Sequence, residues 1–173
     1  GLANSQYGLP DIGLLSLTEV CMESSKILDA TNLPAIIDAD TGYGGPLSVM
    51  RTIHQLENLG AAAIQLEDQV MPKRCGHFDN KSVIDCKSMV QKLEAAQEAR
   101  SDPKLVIIAR TDARSVNGLD DAIQRGLAYA EAGADAIFVE APQTIEELET
   151  IGEALKGIPL VVNVVEGGKT PQL

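Results

Sequence analysis

At 173 residues, 45% of them hydrophobic and 23% charged, the chain suits one ordinary globular domain with a sizeable core. A formal net charge of -11 and a pI near 4.5 argue against nucleic-acid backbones and anionic lipid as partners, and the sequence contains no apolar run long enough to span a bilayer. Cys21, Cys75 and Cys86 are odd in number and lack the paired spacing of a zinc ribbon, which points to free thiols in a reducing, cytoplasmic setting.

The opening stretch GLANSQYGLPD has neither a basic region nor an apolar signal core, so it gives no support to secretion. It lacks an initiating methionine, and Leu173 falls in what reads as a continuing loop, so a fragment is expected. From Leu33 the pattern alternates. LPAIIDAD (33–40) reads as a strand ending in acids, and PLSVMRTIHQLENLG (46–60) as a helix opened by Pro46. AAAIQLED (61–68) repeats the strand, followed by a long stretch over 69–86 and a helix near 87–100. KLVIIARTD (104–112), the helix LDDAIQRGLAYAEAG (119–133), DAIFVEA (135–141), a helix near 144–156 and IPLVVNVVEGG (158–168) complete the series. Strand runs rich in Ile, Val and Leu on both faces imply a parallel sheet covered by helices.

LGAAAIQLE (59–67) and AGADAIFVE (132–140) share a helix-ending glycine, an apolar strand and a final glutamate. Such internal repetition suits a (β/α)8 TIM barrel, incomplete in this chain, although a doubly wound α/β sheet produces the same alternation. The barrel is favoured because each strand ends in polar groups: Asp38 and Asp40, Glu67 and Asp68, Arg110 and Asp112, Glu140, then Asn163 and Glu166. Active sites sit at the carboxyl ends of parallel barrel strands. No linker or composition change divides the chain, so residues 1–173 are expected to form one partial barrel domain.

Several carboxylates gathered at one mouth repel one another unless a cation or protons intervene, and hard oxygen ligands suit Mg2+ or Mn2+. In DADTGYGG, strand alternation is expected to put Asp38 and Asp40 on one side; the competing reading has them capping the helix at Pro46. TGYGG lacks the pattern of a phosphate-binding loop. His54 lies within a helix pattern and reads as structural. The stretch 69–86 exceeds ordinary strand-to-helix connections and reads as an active-site lid. Within it, PKRCGH clusters Lys73, Arg74 and His77 around Cys75, cations that attract an anionic substrate and favour the thiolate; an exposed basic turn is the alternative. Arg110 closes an apolar strand, where an arginine is costly unless paired, so it is expected to recognise a carboxylate.

In order, GLPDIG, DADTGYGG, LEDQ, PKRCGH, ARTDA and NVVEGGKTP resemble the isocitrate lyase and phosphoenolpyruvate mutase superfamily almost from end to end. PKRCGH resembles the signature of its carbon–carbon lyase branch, which includes 2-methylisocitrate and 2,3-dimethylmalate lyases, whereas mutases and phosphonopyruvate hydrolases lack that cysteine. The resemblance implies a (β/α)8 barrel binding Mg2+, with Mn2+ as a substitute, and a small-molecule carboxylate. Asp38 would be the direct metal ligand, with Asp11, Asp40 and Glu67 holding its waters. Arg110 would stabilise the oxo-acid oxygen and Cys75 would protonate the departing enolate, with His77 and Glu140 orienting them. Lys73, Arg74 and Gly76 in the lid, Gly1, Asn163 and Thr170 correspond to substrate contacts. The implied activity is cleavage of a 2-hydroxy di- or tricarboxylate into an oxo acid and a second carboxylate. VVEGGKTP stands nearer to enzymes of substituted malates and oxaloacetate, which keeps oxaloacetate decarboxylation or hydrolysis as the rival, and a non-catalytic barrel remnant as another. The chain departs from the family in lacking the serine and glycine that precede the point matching Gly1, a nearby tyrosine, and the last strands and helices. Helices exchanged between subunits in many members imply a homo-oligomer, dimer or tetramer, at full length.

Overall fold

The computed structural model describes residues 1–73, 81–165 and 167–171. Two helices precede the first strand, α1 (Leu2–Tyr7) and α2 (Leu17–Ala30), where the sequence reading places no elements. α2 opens on a capping box: Ser16 Oγ accepts from the Glu19 N–H, and the Glu19 carboxylate accepts from the Ser16 N–H. That Ser-x-x-Glu spacing in SLTE is the signal that could have located it.

Thereafter strands and helices alternate: β1 (Ile36–Asp38), α3 (Pro46–Asn58), β2 (Ala63–Glu67), α4 (Cys86–Ala99), β3 (Val106–Thr111), α5 (Leu119–Glu131), β4 (Ala136–Val139), α6 (Ile145–Ala154) and β5 (Leu160–Val161). A 3-10 turn, Ala113–Ser115, links β3 to α5. Each strand is shorter than its apolar run. The last of them, β5, ends at Val161.

The strands pair in parallel in the order β1-β2-β3-β4-β5. A doubly wound sheet reverses its strand order at a switch point; consecutive order, with helices on one face, is the course of a barrel wall. The helix-facing layer joins Ile37, Ile64, Leu66, Ile107, Ile137 and Val139 to helical residues such as Ile53, Leu93 and Leu155. Burying each of these large side chains stabilises the fold by roughly 1.5–3 kcal/mol. The opposite, lumen-facing layer is smaller: Ala63, Ile108, Ala136 and Phe138.

The repeated sequences are repeated structures. After α3, Gly60 (φ 92°) takes a left-handed conformation, its N–H donating to the Glu57 carbonyl and that of Ala61 to Leu56. After α5, Gly133 (φ 100°) does the same, with donors from Gly133 to Ala130 and Ala134 to Tyr129. Both are Schellman caps that turn a helix directly into a strand, and each glycine is followed at the same sequence distance by its glutamate, Gly60 by Glu67 and Gly133 by Glu140.

Candidate active site

Three adjacent strand ends form the base of the site. Glu67 pairs in register with Arg110, and Arg110 with Phe138, two residues before Glu140. Arg110 is therefore flanked: Nη1 lies 3.5 Å from Glu67 Oε2, and Nε 3.6 Å from Glu140 Oε2. Its tighter partner is Asp112, which accepts from Nε at 3.0 Å and from Nη2 at 3.1 Å. The guanidinium also stands 5.4 Å from the centroid of the Phe138 ring. Asp112 accepts from Lys81 Nζ at 2.6 Å, an ion pair whose side chains are 1% and 0% exposed.

Burial opposes the Arg110 charge, but Glu67, Asp112 and Glu140 outweigh it and raise its pKa, so it remains a cation. Burial likewise pushes the Asp112 carboxyl up, yet Arg110 and then Lys81 hold it below its ordinary value. Glu67 is different. Burial raises its pKa well above the usual range, Arg110 only partly offsets this, and neither carboxylate oxygen accepts a hydrogen bond among the described residues.

Beside this base lies a cleft of about 300 Å³ lined by Gly1, Asp11, Asp38, Asp40 and Lys73 among others. Lys73 Nζ sits 2.5 Å from Asp11 Oδ1 and 2.8 Å from Asp40 Oδ1, and the lysine is 5% exposed. Burial disfavours its ammonium, but the two aspartates raise its pKa. The same ammonium affects them unequally. Asp11, though burial pushes it up, ends below its ordinary value because Lys73 bonds it, whereas burial and neighbouring Asp38 leave Asp40 raised.

The expected alternation does not carry Asp38 and Asp40. β1 ends at Asp38, and Asp40 adopts a left-handed backbone (φ 48°) while its N–H donates to Asp38 Oδ1 at 3.1 Å. The aspartates share the cleft through this turn, not through an extended chain. Neither caps α3, whose N-cap is Gly45 with no side-chain cap bond. Gly42 (φ 81°) serves packing: an added Cβ would come within 2.6 Å of Val49.

The structure thus brings together Asp11, Asp38, Asp40, Lys73 and Gly1 in the cleft, and Glu67, Arg110 and Glu140 beside it. Asp38 and Lys73 both act electrostatically on Glu67. Asn163, exposed beyond β5, and Thr170, 4% exposed, do not line the cleft, although the Thr170 hydroxyl has no hydrogen-bond partner among the described residues. Arg74, Cys75, Gly76 and His77 lie outside the described residues, as does Glu166. Asp68 is a correction: one residue past Glu67, it is turned away from the lumen and fully buried against α5. Sequence reasoning gave Asp112 and Lys81 no role. Asp112 carried a signal, since it falls two residues after Arg110; Lys81 carried none.

Among the described residues, no three His, Cys, Asp or Glu side chains converge tightly enough to hold a metal ion unaided. The donor set nevertheless fits a hard divalent cation. The candidates offer only carboxylate oxygen, a cation in the form of the Lys73 ammonium already lodges between two of them, and the buried Glu67 oxygens accept no hydrogen bond among the described residues.

A family profile described as phosphoenolpyruvate phosphomutase matches residues 1–173. The chain is 49% identical to 2,3-dimethylmalate lyase of Eubacterium barkeri, over all of this chain and 60% of that protein. It is 46% identical to 2-methylisocitrate lyase of Vibrio cholerae, over 99% of this chain and 57% of that one. Among solved structures, a 2,3-dimethylmalate lyase crystal structure superposes with a TM-score of 0.95 at 39% identity, covering 99% of this chain and 58% of the other. An oxaloacetate acetylhydrolase with 3,3-difluorooxalacetate gives 0.92 at 36%, covering 99% and 59%, and a phosphonopyruvate hydrolase with oxalate and Mg++ gives 0.80 at 33%, covering 91% and 55%. The chain spans less than two thirds of these relatives' length. With its consecutive barrel strands and carboxylate-lined mouth, this chain belongs to the phosphoenolpyruvate phosphomutase family.

Proposed function

We propose that the chain is part of a Mg2+-dependent carbon–carbon lyase that cleaves the C2–C3 bond of a 2-hydroxy di- or tricarboxylate, such as 2-methylisocitrate or a substituted malate. The observation that carries this reading is Arg110, a buried cation flanked by Glu67 and Glu140 beside an aspartate-lined cleft. Similarity to the two lyases supports the reaction class. Asp38 would hold the cation directly and Asp11, Asp40 and Glu67 through water; when bound, it supplies positive charge that polarises the oxygen on C2.

The chain's own residues have separate tasks. Arg110, fixed by Asp112, presents its charge to the same oxygen as the hydroxyl passes its proton to a carboxylate of the site and becomes the oxo group. The C2–C3 bonding pair passes to C3 as an enolate, and the Cys75 thiol gives that carbon its proton. His77 and Glu140 orient these groups, while Lys73, Arg74, Gly76 and Gly1 receive the carboxylates. The whole protein would be a homo-oligomer, which light scattering tests.

Similarity to oxaloacetate acetylhydrolase favours a second reading, hydrolysis or decarboxylation of oxaloacetate. Full-length protein incubated with Mg2+ and 2-methylisocitrate, 2,3-dimethylmalate, isocitrate or oxaloacetate, with oxo-acid release from the hydroxy acids and loss of oxaloacetate both followed, separates the two. Oxo-acid release from a hydroxy acid supports the lyase. Turnover of oxaloacetate alone supports the rival. Cys75→Ser should lower lyase turnover by about 10²-fold while keeping product binding, the usual scale for a positioned acid; near-normal rates would remove Cys75 from the reaction.

A further inference from the structure

Asp68 is a buried acid that the proposed reaction does not use. The pleat that aims Glu67 into the lumen turns Asp68 toward the helix layer, where it is 0% exposed. Its carboxylate there accepts four hydrogen bonds: from Thr111 Oγ1 at 2.7 Å, Tyr129 OH at 2.8 Å, the Asp112 N–H at 2.9 Å and Arg125 Nη1 at 3.2 Å. Arg125 and Tyr129 come from α5, one turn apart. Arg125 Nη1 also donates to the Ile84 carbonyl at 2.8 Å, and the Ile84 N–H donates to the Asp68 carbonyl at 2.9 Å. One cluster thus ties the end of β2, the end of β3, α5 and the chain entering α4.

The bond to Asp112 makes this more than a packing knot. Asp112 has φ -96° and ψ 6°, in the sparsely populated bridge region, so something must hold its backbone there. Asp68 does so through the N–H, and Thr111 Oγ1, itself bonded to Asp68, accepts from the next N–H, that of Ala113, at 3.2 Å. The Asp112 carboxylate so placed grips both Arg110 and Lys81.

We propose that Asp68, braced by Arg125 and Tyr129, is a positioning residue that sets the Asp112 backbone and through it the orientation of Arg110. It touches no substrate. This rests on the reading of Arg110 as the group facing the substrate's oxygen. A guanidinium tilted by a relaxed Asp112 would still bind anions but would meet the developing charge poorly, which is a loss in the transition state.

The test uses Asp68→Asn and Tyr129→Phe in the full-length protein. Asn keeps an acceptor and the volume but loses the charge facing Arg125; Phe removes one donor. Asp68→Asn should lower kcat by about 10–100-fold with KM changed less than about 3-fold, the pattern of a lost outer partner felt only in the transition state. Independently of turnover, the Arg110 Nε–H signal in 15N spectra, identified by its loss in Arg110→Lys, should exchange with water at least about 10-fold faster in Asp68→Asn as its bond to Asp112 loosens. Tyr129→Phe should move both readings less, and it carries the test if Asp68→Asn fails to fold. A lower melting temperature with unchanged kcat and unchanged Arg110 signal would overturn the proposal and make Asp68 structural only. A responsive Arg110 signal in a protein that turns over none of the four acids would uphold the positioning role while sinking the lyase reading.

Discussion

The two acidic groups at the barrel mouth differ in how their charge is balanced. At the base, Glu67, Asp112 and Glu140 surround Arg110, with Lys81 behind, all of them nearly dry. In the cleft, Asp38 is exposed, Asp11 is 37% exposed, and one lysine serves Asp11 and Asp40. Low dielectric makes each charge at the base dependent on its neighbours, whereas water can replace a missing partner in the cleft. The base is built to hold one geometry; the cleft, closer to water, is held less tightly.

The largest effect should come from removing the cation at the base. Arg110→Ala removes the cation that Glu67, Asp112 and Glu140 share and should cost about 3–5 kcal/mol of stability by chemical denaturation, as well as turnover. A cost under about 1 kcal/mol would mean that the base is wetter than its burial implies.

Metal affinity sharpens the contrast from the cleft side. Asp38→Ala should weaken Mg2+ binding in calorimetry by about 10–100-fold and Asp40→Ala by less, because a direct ligand loses more than one acting through water. Equal, negligible effects would remove both from the metal site. Lys73→Met, in chelated protein, should cost about 1 kcal/mol, the scale of a part-exposed ion pair, and so much less than Arg110→Ala. A cost matching that of Arg110→Ala would erase the distinction between base and cleft.

The smallest effects should appear with pH, and with opposite signs. Asp112 titrates below its ordinary value when folded, so its contribution is complete above about pH 4 and is lost as pH falls toward the folded value. Asp40 titrates above its ordinary value, so in metal-free protein its contribution declines as pH rises from about 4 to the folded value. Denaturation between pH 3 and 6 should show Asp112→Asn flattening the acid side and Asp40→Asn the side above it. The same sign for both would contradict the arrangement.

The sequence by itself determined the alternation of strands and helices, because apolar period and capping residues act within a few neighbours. Pro46, Gly60 and Gly133 stand at the helix ends their chemistry requires, and the matching repeats mark Glu67 and Glu140, which flank Arg110. It also marked Asp38, Asp40, Glu67 and Glu140, since polar residues ending apolar strands are costly without a purpose, whereas Asp11 entered only through the family resemblance and Asp112 was given no role. Only the tertiary structure decided which charges meet. Lys73 finds Asp11 from 62 residues away, and Arg125 finds Asp68 from 57, pairings that depend on which strands are neighbours and on consecutive order around the sheet. Local pattern fixes the face on which a side chain emerges, as at Glu67; where the strand ends, as at Asp38 and Asp40, the turn takes over and alternation no longer predicts direction. Asp68 is the sharpest case: adjacent in sequence to a lumen-facing glutamate, it takes its partners from the end of β3 and from α5, which only the fold brings beside it.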